Sequence, residues 1–260
     1  PLILVKSEGG TTYATRDLAT LKFRQKEWNP DIVIYEVGSE QSLHFHQLFA
    51  AARMLGYVGK EEELVHTKHG LYRWEHGKMR TRKGDTVKLE EILNEAISRA
   101  EKLGSKETSK AVGIGAVKYF DLKHSVQSDI VFDWEKMFEL QGDSGPYLQY
   151  TYARAKSVLR KLASQELLLR TQTQEQLLKN EGLALLRYLY RFPEVVEAAA
   201  RQYAPNLICS YLFELAKRFN NLYNNCPIIG NEFRLLLTTS VAHVLKNGLN
   251  LLGIEALERM

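Results

Sequence analysis

A phenol and a carboxylate stand four residues apart near the start of the sequence, in GGTTYATRDLA, as Tyr13 and Asp17. On a helix that spacing puts both on one face. The apolar run PLILVK before them reads as a buried strand. Leu18, Leu21 and Trp28 after them mark a helix from about Thr15 to Trp28. Thr15 is then the N-cap, and Asp17 falls in the first turn, where the helix dipole favours negative charge. A carboxylate held at such a junction can bind a cationic ligand. An Asp in a first turn also stabilises its own helix without any ligand, and the residues by themselves leave both readings open.

A second cluster lies in KMRTRKGDTVKLEE, where Lys78, Arg80, Arg82, Lys83 and Lys88 surround Gly84. Cations on a loop can neutralise transferring phosphates, because charge stabilisation dominates phosphoryl and nucleotidyl chemistry. An exposed basic loop without a ligand has the same composition, and the Gly-rich phosphate cradles are absent. The histidines predict no metal site: His44 and His46 are two apart, with no HExxH or Cys-pair pattern beside them. Packed or hydrogen-bonded roles are expected for His46, His66, His69 and His76. There is no nucleophile elbow and no evident triad. In RFNNLYNN, Arg218 to Asn225, amides and a ring could meet unstacked RNA bases. Equally, the segment could be a solvated helix face with Phe219 and Leu222 in the core.

These residues need elements to position them. DIVIYEVG (Asp31 to Gly38) reads as a strand, SEQSLHFHQLFAAARMLG as a helix, and ELVHTKHG and LYRWEHG as short strands. The alternation predicts a parallel α/β sheet, whose ligands sit at the carboxyl ends of its strands. From Lys88 onward strand signals nearly vanish. KLEEILNEAISRAEKLG is a helix that Gly104 can stop, and PYLQYTYARAKSVLRKLA is another with Pro146 in its first turn. Further helical segments follow, separated by Pro193, Pro205 and Pro227. In one of them Leu207, Tyr211, Leu215, Phe219 and Leu222 form a stripe at helical spacing. A helical bundle is predicted. The turn cluster QGDSG places the boundary so that residues 1–140 form one domain and 141–260 the other.

The 260 residues are 45% hydrophobic and 25% charged, with a net charge of +4, which fits a globular protein and permits a polyanionic partner. No apolar run is long enough to span a membrane, and no signal peptide is evident. The chain opens on a strand without Met, so a truncated or processed chain is expected. Cys209 and Cys226 read as buried free thiols of a reducing, cytoplasmic compartment.

In order along the chain, GGTTYATRDLA, SEQSLHFHQLFAAARMLG, MRTRKGDTVKLEEIL, GPYLQYTYARAKSVL, RFPEVVEAAA, YLFELAKRFNNLYNNCPI and LKNGLNLLGIEALERM resemble the C-terminal part of arginyl-tRNA synthetases, class I enzymes. The resemblance covers essentially the whole chain. It implies the second half of a Rossmann-type catalytic domain followed by an α-helical anticodon-binding bundle. It also implies that Tyr13, Asp17 and Gln41 bind arginine, whose guanidinium a carboxylate pairs with in a fork. His44 and His46 fall toward the ATP side, and the resemblance puts His44, Met79 and Lys83 in ATP binding. KMRTR matches the class I Lys-Met-Ser-Lys-Ser loop, with Thr81 at the fourth position, so the catalytic phosphate contact lies among Lys78, Arg82 and Lys83. Asn220, Tyr223 and Met260 fall in segments associated with anticodon contact.

The implied reaction joins arginine to ATP, with Mg²⁺, and passes the arginyl group to tRNA(Arg). No tightly bound cofactor is implied, and the enzyme is expected to be a monomer. The His-Ile-Gly-His motif is nowhere in the chain. These residues alone are therefore not expected to form arginyl-adenylate. The other reading is a stand-alone tRNA-binding module derived from such an enzyme.

Overall fold

A computed structural model describes residues 2–74, 77–78, 88–163 and 180–260. The chain divides into two compact units, Pro1–Arg73 with Val126–Ile130, and Trp74–Ser125 with Val131–Met260.

The first unit contains helix α1 (Tyr13–Trp28), strand β1 (Ile32–Gly38), helix α2 (Ser42–Met54) and strand β2 (Glu63–His69). β1 and β2 pair in parallel, from Ile32 opposite Glu63 to Gly38 opposite His69, with α2 as the crossover. The β-branched run IVIYEVG suits a strand, and its alternation turns Val33 inward while Ile32 and Ile34 stay exposed. Leu18, Leu21, Phe45, Leu48, Ala52 and Val58 complete the core between helices and strands. α1 ends where Asn29 takes a left-handed conformation at φ 42°.

Two expectations fail here. PLILVK is not a strand. Val5 makes only an isolated bridge to Thr11, and Ile3 and Val5 are exposed. Its backbone groups are taken locally: Lys6 N–H donates to Gly10 at 2.8 Å, Gly9 N–H to Lys6, and Thr12 N–H to Leu4. Gly9, at φ 81°, makes that reversal possible. In addition, the N-cap is Thr12, not Thr15, with the Thr12 hydroxyl accepting from Thr15 N–H. Asp17 therefore lies past the first turn, where the free N–H groups and the dipole no longer act on it.

The second unit is a bundle. It holds α3 (Leu89–Leu103), α4 (Lys106–Leu122), the single turn α5 (Trp134–Met137), α6 (Gly145–Ala163), α7 (Asn180–Leu189), α8 (Phe192–Gln202), α9 (Asn206–Asn225) and α10 (Glu232–Leu251). Tyr211, Leu215, Phe219 and Leu222 of the α9 stripe are buried, packed with Leu148 and Tyr152 of α6 and Leu245 and Leu249 of α10. Helix α4 carries no clear signal in the sequence because Gly113 and Gly115 interrupt it. At Gly113 the reason is steric: a Cβ there would lie 2.7 Å from the Ala96 carbonyl oxygen of α3. Buried Tyr119 of α4 donates to Asp143 Oδ1 at 2.6 Å, and Lys123 donates to the Asp143 carbonyl at 2.7 Å. These bonds pin the turn that starts α6. Cys209 and Cys226 are free and buried, and burial pushes the Cys209 thiol up to about 12.

Candidate functional site

In the first unit, β1 ends at Gly38 and runs straight into a 3-10 turn, Ser39–Gln41, that opens α2. The site at that strand end is built from the starts of two helices. Asp17 of α1 and His44 of α2 meet there, with His44 Nε2 2.8 Å from Asp17 Oδ2. Tyr13 stands one turn before Asp17 as the first residue of α1 and is 83% exposed. Gln41 stands one turn before His44 at the N-cap position of α2, also exposed. The anchoring is local: the Thr12 side chain donates to the Ile3 carbonyl at 2.8 Å and holds the mouth of α1 in place.

A carboxylate has about four acceptor sites. His44 uses one oxygen of Asp17, which leaves Oδ1 for a further donor. Proximity of His44 to Asp17 was not evident from sequence, since 27 residues separate them. Of the other histidines, His66 Nε2 donates to the Val37 carbonyl at 2.9 Å and His69 Nδ1 to the Gly70 carbonyl at 2.9 Å, as expected of structural residues. His46 is exposed instead of packed, because it falls on the outer side of α2. His76 and the loop residues Met79, Arg80, Thr81, Arg82, Lys83 and Gly84 lie outside the described residues, and for Lys78 only the backbone, in a two-residue strand, is described.

The second unit carries a separate site, a cavity of about 420 Å³ between α6, the end of α9 and the last two residues. Its centre is Arg154. The guanidinium lies 4.8 Å from the Tyr150 ring centroid and 4.9 Å from that of Tyr223. Its Nη1 donates to Asn220 Oδ1 at 2.6 Å and its Nη2 to the Tyr150 hydroxyl at 3.2 Å. Asn220 in turn donates to the Tyr147 hydroxyl at 2.9 Å and to Thr151 Oγ1 at 3.0 Å. All of its amide hydrogens are thus used inside the bundle. Tyr223 and Met260 are 38% and 39% exposed, so both present surface to the cavity. Arg160, Lys161 and Arg259 add cations around it.

Rings on which bases can stack, ringed by cations that meet phosphates, are the features of single-stranded nucleic-acid sites. The sequence singles out Tyr223 and Met260, which line this cavity, and does not single out Tyr150 and Arg154, which line it too. Their i, i+4 spacing on a helix was a signal, although it gives no hint that α9 delivers Tyr223 to the same place.

Among the described residues, no three His, Cys, Asp or Glu side chains are grouped as metal ligands would be, and no helix is long and apolar enough to cross a membrane. Comparison with known proteins gives a consistent result. Residues 1–134 match the family of class I (R) tRNA synthetase catalytic domains, and residues 148–260 match the DALR anticodon binding domain. An arginine–tRNA ligase of Chloroflexus aurantiacus is 40% identical over 99% of this chain, and one of a Cyanothece strain is 41% identical over 100%. The chain spans 48% of the length of each. Arginyl-tRNA synthetases of Thermus thermophilus and Plasmodium falciparum superpose with TM-scores of 0.85 and 0.83 at 28% and 27% identity. Each covers all of this chain, which corresponds to 51% and 47% of theirs. With a catalytic-domain match over more than half of its residues and an anticodon-domain match over most of the rest, the chain belongs to the class I arginyl-tRNA synthetase family.

Proposed function

We propose that these residues serve an ATP-dependent arginine–tRNA ligase, the first unit contributing the arginine side of the catalytic centre and the bundle reading the tRNA(Arg) anticodon. The observation that carries this reading is the pairing, in one chain of this family, of a carboxylate at a strand end with a cation-and-ring cavity on a helical bundle.

Arginine enters with its guanidinium toward Asp17. Its planar, permanently charged donors fork onto the carboxylate, with Oδ1 open to it while His44 steadies Oδ2. The Tyr13 hydroxyl and the Gln41 amide supply the remaining polar contacts. His44 stands between the arginine side and the ATP side, and Met79 and Lys83 complete the ATP contacts. ATP arrives as its Mg²⁺ complex, and the phosphate charge is met by cations of the loop, Lys78, Arg82 and Lys83. The arginine carboxylate attacks the α-phosphate and pyrophosphate leaves; a hydroxyl of the terminal tRNA ribose then attacks the arginyl carbonyl of the adenylate, and AMP leaves. This chemistry needs positioning and charge stabilisation and no covalent enzyme intermediate.

In the bundle, an anticodon base stacks on Tyr223 against Met260, and the cations meet the backbone. Asn220 contributes by orienting Arg154. The domain division proposed is 1–140 and 141–260, in a cytoplasmic, monomeric enzyme.

Asp17→Asn in a full-length ligase carrying these residues tests the reading. Loss of a charge-assisted pair costs about 1.5–3 kcal/mol, so KM for arginine rises by about 10- to 150-fold. KM for ATP stays within about twofold, well under the 1.4 kcal/mol that marks tenfold. Equal rises for both substrates reject Asp17 as the arginine-side anion.

A further inference from the structure

Helix α6 carries two adjacent stripes with the same spacing. Tyr150, Arg154, Ser157 and Lys161 line the cavity. Gln149, Lys156 and Arg160, each one residue before Tyr150, Ser157 and Lys161, hold the chain that follows α10, and Arg160 lines the cavity as well. Gly253, at φ 65°, turns that chain back after α10. Ile254, 2% exposed, inserts into the core. Gln149 Nε2 then donates to the Glu255 carbonyl at 2.9 Å. Further along, Lys156 Nζ lies 3.0 Å from Glu258 Oε1, and Arg160 Nη1 donates to the Glu258 carbonyl at 2.7 Å. Residues 252–260 are therefore a strap over α6, and the strap ends by placing Arg259 and Met260 in the cavity wall.

Lys118 of α4 adds a fourth hold by donating to the Gly253 carbonyl, and the three fastenings on α6 are unequal. The Lys156–Glu258 pair is at the surface, with Glu258 57% exposed, and water replaces such a contact at little cost. Gln149 is wholly buried. Its second amide hydrogen goes to the Ala111 carbonyl of α4 at 3.2 Å. Space for the amide exists because position 115 is glycine: a Cβ there would lie 3.0 Å from both Gln149 amide heavy atoms. On the same amide, Oε1 is buried with no hydrogen-bond partner among the described residues. An apolar side chain of this length would fill the site without burying an unpaired carbonyl. Packing by itself therefore favours Met or Leu at 149, and what the glutamine adds is two donated bonds, the longer to α4 and the shorter to the strap.

We propose that Gln149 is a positioning residue for the cavity: by fixing residues 252–258 it sets where Met260 stands in the wall that Tyr223 shares, and so sets the cavity's selectivity for an RNA base. This rests on the reading of the cavity as an anticodon site.

The test uses the 260-residue chain and two anticodon stem–loop RNAs, one of tRNA(Arg) and one with its anticodon bases changed. Gln149→Met keeps the volume and removes the donor. Of the two bonds lost, the one to the strap bears on the cavity, and its loss is expected to lower the affinity ratio between the two RNAs by about fivefold. Carboxypeptidase should also release Met260 and Arg259 faster. Gln149→Asn, with its amide drawn back by one methylene, gives the same readings should the methionine variant not fold. The readout that a merely structural role would not move is a cycle with deletion of residues 259–260. The deletion itself lowers the ratio, and Gln149→Met then lowers it no further. An unchanged ratio in folded Gln149→Met, or the same loss with and without residues 259–260, overturns the proposal while leaving the anticodon reading intact. A starting chain that does not distinguish the RNAs at all overturns that reading, and this inference with it.

Discussion

Asn220→Ala separates two roles that one residue could have, and the size of its effect follows from the bonds it removes. Three are lost: a charge-assisted bond from Arg154 at 2.6 Å, and two donated bonds, to Tyr147 at 2.9 Å and Thr151 at 3.0 Å. Thr151 keeps its bond to the Tyr147 carbonyl at 2.8 Å, so its share is small. Tyr147, 9% exposed, loses a partner where water enters poorly. Arg154 keeps the Tyr150 hydroxyl, two ring faces and access to solvent, which discounts the charged bond. The total is about 2–3 kcal/mol of bundle stability. With a urea dependence of about 1–3 kcal/mol per molar, the midpoint falls by on the order of 1 M. Urea unfolding followed by far-ultraviolet circular dichroism measures it. Binding of tRNA should weaken as well, because Arg154 loses its orientation. A midpoint that does not move, together with a loss of affinity confined to the cognate tRNA, refutes the reasoning: the Asn220 amide would then face RNA and not the bundle.

Tyr223→Ala should reduce discrimination between cognate and non-cognate tRNA by the about 1–3 kcal/mol that base stacking supplies, whereas removing Arg259 should weaken all tRNAs alike and lower the salt slope. Filter binding across salt concentrations tests both, and equal loss for both tRNAs in Tyr223→Ala makes it a packing residue. The 260-residue chain by itself should give no arginine- and tRNA-dependent ATP–pyrophosphate exchange, since it carries no His-Ile-Gly-His motif; a signal above background contradicts this. Burial raises the Cys209 thiol from 9.0 to about 12 and raises the Tyr119 phenol too. The folded state thus holds protons that the unfolded state releases. Their contribution is complete below about pH 9 and is lost as pH rises toward 12. Denaturation midpoints should hold between about pH 8 and 9 and fall from there to about pH 11, and Cys209→Ala should lessen the slope.

The sequence by itself determined a good deal. The apolar periodicity of α9 and the Gly and Pro punctuation between helices mark the bundle, because burial and backbone limits act on local sequence. The β-branched run at Ile32–Gly38 and the amphipathic α2 likewise give the parallel βαβ unit. The ordered motifs gave the family. Tertiary structure decided the rest. PLILVK has the composition of a strand, yet a strand exists only where a neighbour pairs with it, and here the backbone bonds are closed by a local turn. Capping by Thr12 and not Thr15 moved Asp17 out of reach of the dipole and left His44, from another helix, as its partner. Gly113 and Gly115 weaken the helical signal of α4 when read locally. They are required only because Ala96 and Gln149 approach from elsewhere in the chain. Asn220 has a base-reading side chain by type. Its three internal partners come from α6, some seventy residues earlier, and no local pattern records which of two hydrogen-bonding environments such an amide will meet.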